Sequence, residues 1–275
     1  PNFRLVDTVG KPTTLVDFTI PTEGYESPWG MAQFVMVVDT ARVPAPPRSV
    51  PELVAWATAH PGRLAYPAPP DFIGSTFLKH VLYATIDDPG RLARPVDAAA
   101  FDALTGRTWR ALDELRPHLW RKGATYPANK EQLHQLLDDG ETDFSMAFNP
   151  AEASSLIAAG RLPETVRTFV FEGGTIANTH FVAIPFNAAH KEGAMVVANF
   201  LLSPEAQARK QDPAVWGAPT VLALDKLGPE ERARFTRLDL GPATLPPERL
   251  VPALPEPHPS WMALLERRWA ERYAR

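Results

Sequence analysis

The chain has 275 residues, 30 of them proline and none cysteine, with a formal net charge of −4. The missing thiols exclude disulfides and thiolate metal sites, and the mildly acidic balance excludes the basic surface of a nucleic-acid binder. At 45% hydrophobic and 22% charged, the composition is that of one large folded domain or two ordinary ones, and no apolar run approaches the roughly 20 residues of a membrane-spanning helix.

The chain opens on Pro1, which implies that a preceding segment has been removed. Residues 14–20, TLVDFTI, and 31–38, MAQFVMVV, predict strands, with PTEGYESPWG between them as a loop of turn formers and aromatics. Ser49-x-x-Glu52 is a capping-box pattern opening a helix that stops at His60-Pro61-Gly62. RLAYP, 63–67, predicts a short strand leading through Pro67, Pro69 and Pro70 to Asp71 and a helix over about 75–84. Phe101, Leu104, Trp109, Leu112 and Leu115 mark a longer helix after Asp97, weakened at Gly106. Asn129-x-x-Gln132 starts another through Asp138, stopped by Gly140.

DFSMAF then predicts a strand, and Asn149-Pro150-Ala151-Glu152 a helix that stops at Gly160. TVRTFVF and THFVAI predict strands on either side of EGGTIAN. Ala194, Val197, Ala198 and Leu201 lie on one helical face, and Ser203-Pro204 caps a continuation through Lys210. A proline-rich tail over 241–259 precedes a last helix carrying Trp261, Leu264, Leu265 and Trp269. Strands alternating with helices predict an α/β architecture with a largely parallel sheet.

No nucleotide-binding glycine loop, nucleophile elbow or zinc-protease helix occurs. Thr76-x-x-Lys79 echoes the S-x-x-K of penicillin-recognising enzymes without its companion motifs, and Glu131-x-x-His134 has no second copy. Four loops have binding character instead. The first offers the rings of Tyr25 and Trp29 with the charge of Glu26, and the second a helix start at Gly74, Ser75 and Thr76 flanked by Asp71 and Phe72. The third offers Asn149 at the end of a strand, and the fourth Asn178 beside paired glycines.

ANFLLSPEAQ resembles the alanine-rich helix and its Ser-Pro-Glu-x-Gln continuation in bacterial extracellular solute-binding proteins of ABC importers. PTEGYESPWG, YPAPPDFIGSTFL, FNPAEASSLIAAG, GGTIANTHFVAIPFNA and DPAVWGAPTVL extend the resemblance over essentially the whole chain. The family is similar to thiamine-, ferric-iron- and polyamine-binding proteins. The resemblance implies an α/β, two-lobed, type II periplasmic-binding-protein fold with a hinge, lacking here the N-terminal part of its first lobe. Residues 1–38 would end the first lobe and give the first hinge strand, 39–174 would form the second lobe, and 175–275 would return to the first.

It further implies a non-enzymatic, monomeric receptor without cofactor or metal, carried to the periplasm by a signal peptide absent from this chain. Its partners would be a small solute and an inner-membrane permease, with no nucleic acid. The expected ligand-binding residues are Tyr25, Glu26, Trp29, Asp71, Phe72, Gly74, Ser75, Thr76, Asn149 and Asn178. They suit a cationic or zwitterionic organic ligand, with an anionic ligand or a metal ion as the alternative. An effector-binding domain of a transcription regulator shares this architecture and is the rival assignment.

Overall fold

The computed structural model describes residues 1–250 and 252–274. Its first strands, β1 (Val16–Asp17) and β2 (Ile20–Pro21), are two residues each and form a tight hairpin. Phe18 and Thr19 at its tip take left-handed φ values of 42° and 75°, so the single strand expected over 14–20 folds back on itself. β3 (Glu26–Gln33) starts inside the expected loop, and β4 (Val35–Asp39) follows after Phe34 alone. The expected strand over 31–38 is therefore two strands in two sheets.

One sheet has the order β3, β7 (Thr175–Ala183), β8 (Ala253–Leu254); β3 and β7 are antiparallel, and β7 and β8 parallel. The other centres on β4, antiparallel to both β5 (Phe144–Ala147) and β6 (Val166–Phe169). The expectation of a largely parallel sheet is corrected. Alternation of element types does not fix strand direction: only β7 and β8, joined through α7–α9, pair in parallel, whereas the other named pairs are antiparallel. RLAYP forms only an isolated bridge, Leu64 to Leu119.

Local chemistry sets the helix starts. In α1 (Val50–Ala59) the Ser49 hydroxyl accepts from Glu52 N at 3.3 Å while the Glu52 carboxylate takes Arg48 N at 2.9 Å. In α5 (Lys130–Asp138) Asn129 accepts from Gln132 N at 2.9 Å, and the Gln132 amide oxygen takes Ala128 N at 2.7 Å. In each, the cap side chain satisfies one first-turn donor, and the residue three on reaches back to the N–H just before the cap. α2 (Phe72–Thr85) starts earlier than expected and is buried continuously from Ile73 to Leu82. A helix covered on every side belongs to a core. The long helix expected after Asp97 is two, α3 (Ala98–Leu104) and α4 (Gly106–Leu115), broken at Thr105. α6 (Glu152–Ala158), α7 (Lys191–Leu201) and α8 (Pro204–Gln211) lie where expected, whereas α9 (Pro229–Thr236), opened by Pro229, Glu230 and Glu231, was not among the expected helices.

Three apolar clusters result. The largest joins Met36, Val38, Phe144 and Met146 on one face of the β4 sheet to α1–α5 and to α10 (Pro259–Tyr273). α10 packs on α2 and α3, so the last helix returns to the core of residues 39–174 rather than to the opening segment as expected. The second cluster covers the other face of that sheet with Val35, Val37, Ala147 and Ala153. With both faces covered, β4 and β5 are buried along their whole length, Ser145 being bonded to His134. The third gathers Val6, Leu202, Val221, Leu222 and Phe235 around α8 and α9. α7 buries no residue; Met195, Val196, Val197 and Phe200 stand exposed.

Candidate ligand-binding cleft

The two sheets meet where β3 passes into β4. Phe34 N donates to Ile176 O at 2.8 Å and Gln33 N to Phe148 O at 3.1 Å, tying both sheets to one crossing. His80 of α2 supports it from below: Nδ1 donates to Thr76 O at 2.8 Å and Nε2 accepts from Ile176 N at 3.0 Å. Burial holds this imidazole neutral and pushes its pKa down to about 3, with the neighbouring Lys79 charge adding to the effect.

Beside the crossing lies a cavity of about 710 Å³, walled by Lys11, Met31, Gln33, Ala177, Gly217 and Thr220 among others. The register places Met31 opposite Thr179 and Gln33 opposite Ala177, so one face of the β3–β7 ribbon forms its wall. Two ammonium groups brace the adjoining segment. Lys11 donates to the carbonyls of Thr220 and Leu222, and Lys210 to those of Ala218 and Pro219. Burial lowers both pKa values, that of Lys210 to about 7.

An aromatic corner borders this cavity. Trp29 and Trp216 meet edge to face at 5.9 Å, and Lys210 Nζ lies 5.4 Å from the Trp29 ring centre. Asn149 donates to Trp216 O at 2.8 Å while its carbonyl oxygen accepts from Ala151 N at 3.1 Å. Gly217 has φ +82°, and a side chain there would collide with Ala151 Cβ. Trp29 and Asn149 are thus brought together, through Trp216.

A second polar group sits on the opposite face of the ribbon. Lys79, 1% exposed, pairs with Glu256 at 2.6 Å, and Asn178 Nδ2 donates to Glu256 Oε1 at 3.3 Å. The rings of Phe72 and Phe18 lie 5.1 and 5.9 Å from Lys79 Nζ, and Phe72 packs edge-on against Phe148. Asn178 Oδ1 is buried with no hydrogen-bond partner among the described residues. Its carbonyl orientation follows from the Glu256 bond, since the reverse would face two oxygens together. Asn178 lies opposite Ala32 in the register, on the face turned away from Met31 and Gln33. Phe72 and Asn178 are therefore neighbours.

The helix start at Gly74–Thr76 does not present free donors. Asp71 is the cap, accepting from Ile73 N at 2.9 Å and Gly74 N at 3.2 Å, so a carboxylate of the chain itself fills the anion seat. Ser75 donates to Glu266 at 2.6 Å, Thr76 donates to Phe72 O at 2.7 Å, and both are buried within the helical layer. Gly74 is required for packing, because a Cβ there would overlap the Pro67 carbonyl oxygen. Asn178 is not in a turn; it lies within β7. Tyr25 and Glu26 stand apart, lining a smaller recess of about 320 Å³ at the other end of β3. None of the ten expected residues lines the larger cavity itself.

Lys79, Glu256, Lys210 and Trp216 escaped the sequence reading as site residues. Local signals were limited to Lys79 in the Thr76-x-x-Lys79 pattern and Trp216 ahead of a glycine and a proline just after a helix.

Residues 5–223 match the family described as bacterial extracellular solute-binding protein. Protein YnjB of Escherichia coli (strain K12) is 43% identical over 274 residues, which is 99% of this chain and 68% of YnjB. The crystal structure of an ABC transporter from Clostridium perfringens ATCC 13124 superposes with a TM-score of 0.65 at 18% identity, covering 100% of this chain and 74% of that one. A periplasmic thiamin binding protein gives a TM-score of 0.56 at 18% identity, over 95% of this chain and 74% of that one. These likenesses show the periplasmic-binding-protein fold, and the extent of the family match shows that the chain belongs to the bacterial extracellular solute-binding proteins.

Proposed function

We propose that this chain is the solute-capturing component of an ABC importer, taking a small organic molecule into the cavity beside the strand crossing and delivering it to a membrane permease from the periplasm. The observation that carries this reading is the position of that cavity. Its walls come from residues far apart in sequence, where the sheet of β3 and β7 meets that of β4. A rotation of one sheet against the other at Phe34 changes its shape, as hinge capture requires. Its volume lies in the range of small-molecule sites. Residues 1–33 and 175–239 then form one jaw, and 35–174, with the 240–250 segment that packs on the β4 sheet, the other.

The ligand in this reading is cationic or zwitterionic. The rings of Trp29 and Trp216, next to the cavity wall at Met31 and Gly217, favour a flat or cationic group. Lys11 on the cavity wall supports a carboxylate at the other end, which a zwitterion supplies. The solute is held and released unchanged.

A thermal-shift screen of zwitterionic and cationic organic solutes, followed by calorimetry, tests this. Binding at a hundredfold excess over Kd raises stability by about 2.7 kcal/mol. Consumption of a solute during the assay, or saturable binding that the Trp29→Ala and Lys11→Gln variants leave untouched, refutes it.

A further inference from the structure

The two jaws meet the larger cavity with different chemistry. On the first jaw two polar heads converge on Thr220. Lys11 Nζ donates to Thr220 O at 2.9 Å and to Leu222 O at 2.8 Å, and the Gln211 amide oxygen accepts from Thr220 N at 3.0 Å. Lys11, Gln211 and Thr220 all line the cavity. An ammonium has three N–H donors, so Lys11 keeps one after these bonds, and the Gln211 amide nitrogen makes no hydrogen bond among the described residues. Both side chains are half-buried, so a molecule in the cavity can reach them. The second jaw offers hydrocarbon instead, with Pro150, Leu240, Leu245 and Leu250 on the wall. Thr244, the polar side chain among them, is engaged by the chain itself: its hydroxyl donates to Leu240 O and meets Ser154 Oγ at 2.7 Å.

A donor pair on one wall and leucines on the other fit a molecule charged at one end and apolar along its length. A carboxylate takes a charge-assisted bond from Lys11 and a second bond from Gln211, while a hydrocarbon chain gains by leaving water for the leucines. Resting on the capture reading above, we propose that the solute class is the α-amino acids with long hydrocarbon side chains. The carboxylate seats on Lys11 and Gln211 of the first jaw, and the ammonium lies toward the Trp29–Trp216 corner. The side chain is covered by Leu240, Leu245 and Leu250 of the second jaw. The charged end thus docks on one jaw, and burial of the hydrocarbon draws the other jaw over it.

The test is calorimetric titration with L-alanine, L-norvaline and L-norleucine, and with n-pentylammonium chloride, which is norleucine without its carboxylate. Affinity should rise about fourfold with each added methylene. Norleucine should bind about tenfold or more tighter than n-pentylammonium, as loss of a charged hydrogen-bonding group requires. Gln211→Glu keeps an acceptor for Thr220 N and turns the free NH2 into a second oxygen. It should weaken norleucine about tenfold or more without weakening n-pentylammonium, a split that a merely structural role would not produce. Leu245→Ser should flatten the rise along the series. Affinity independent of chain length, no saturable binding by any of the three amino acids, n-pentylammonium binding as tightly as norleucine, or equal losses of both ligands in Gln211→Glu would each overturn the assignment. Saturable binding of n-pentylammonium that Trp29→Ala abolishes would, in that event, leave the capture reading standing.

Discussion

Replacing His80 with Gln should remove an acid sensitivity built into the joint between α2 and β7. In the folded protein the imidazole is neutral, donating to Thr76 O and accepting from Ile176 N, between the rings of Phe34 at 4.4 Å and Phe171 at 6.2 Å. Its pKa drops from 6.5 to about 3. At any pH between these values the unfolded chain binds more protons at this residue than the folded one, so stability falls as pH is lowered through that window. At pH 5, about 1.5 units below the unfolded value, the loss from this residue is about 2 kcal/mol at 1.36 kcal/mol per unit. Urea denaturation of wild type and His80→Gln at pH 8 and pH 5 reads this directly: the wild type should lose about 2 kcal/mol more than the variant. A second measurement uses the intact protein, where the His80 ring proton signal should not titrate above about pH 4. Equal losses in the two proteins, or a ring signal titrating near 6.5, would refute the reasoning.

Three further outcomes follow from the geometry. Glu256→Gln leaves Lys79 charged and buried, and should cost about 3–5 kcal/mol in denaturant unfolding, whereas replacing both partners with Met should recover most of that loss. Gly74→Ala should destabilise by about 1–3 kcal/mol through overlap with the Pro67 carbonyl, with the same fall in Tm whether or not a solute is bound. Ser75→Ala should lower stability by about 1 kcal/mol through its lost bond to Glu266 and leave capture unchanged, while Trp29→Ala weakens capture about tenfold; calorimetry and melting curves separate the two.

What the sequence made legible was local. Ser49, Asn129 and Ser203 each cap the helix expected of them, because a cap is decided within four residues. The runs of Val, Met and Phe in β4 and β5 were visible as strands for the same reason. Strand direction was not, since β4 pairs with residues more than a hundred positions away. At the candidate site the pattern is similar. Asn178 and Phe72 could be singled out as residue types, but the Lys79–Glu256 pair that joins them spans 177 positions. Asp71 rather than Ser75 caps α2 because the prolines ahead of it bring the chain in one turn earlier than the hydroxyl pair suggested. Family resemblance supplied the fold as a whole, which no single motif specified.

The placement of α10 bears on how the molecule is made. Trp261, Trp269 and Tyr273 enter the largest apolar cluster, and Trp269 Nε1 meets the hydroxyl of Tyr66 at 3.0 Å. Just ahead of them β8 adds its strand and Glu256 neutralises Lys79. A nascent chain emerging from the ribosome in order therefore carries an unclosed interior until β8 and α10 have been made. A product halted before residue 253 is left with an open core and a stranded cation, a substrate for proteolysis rather than a partly working copy.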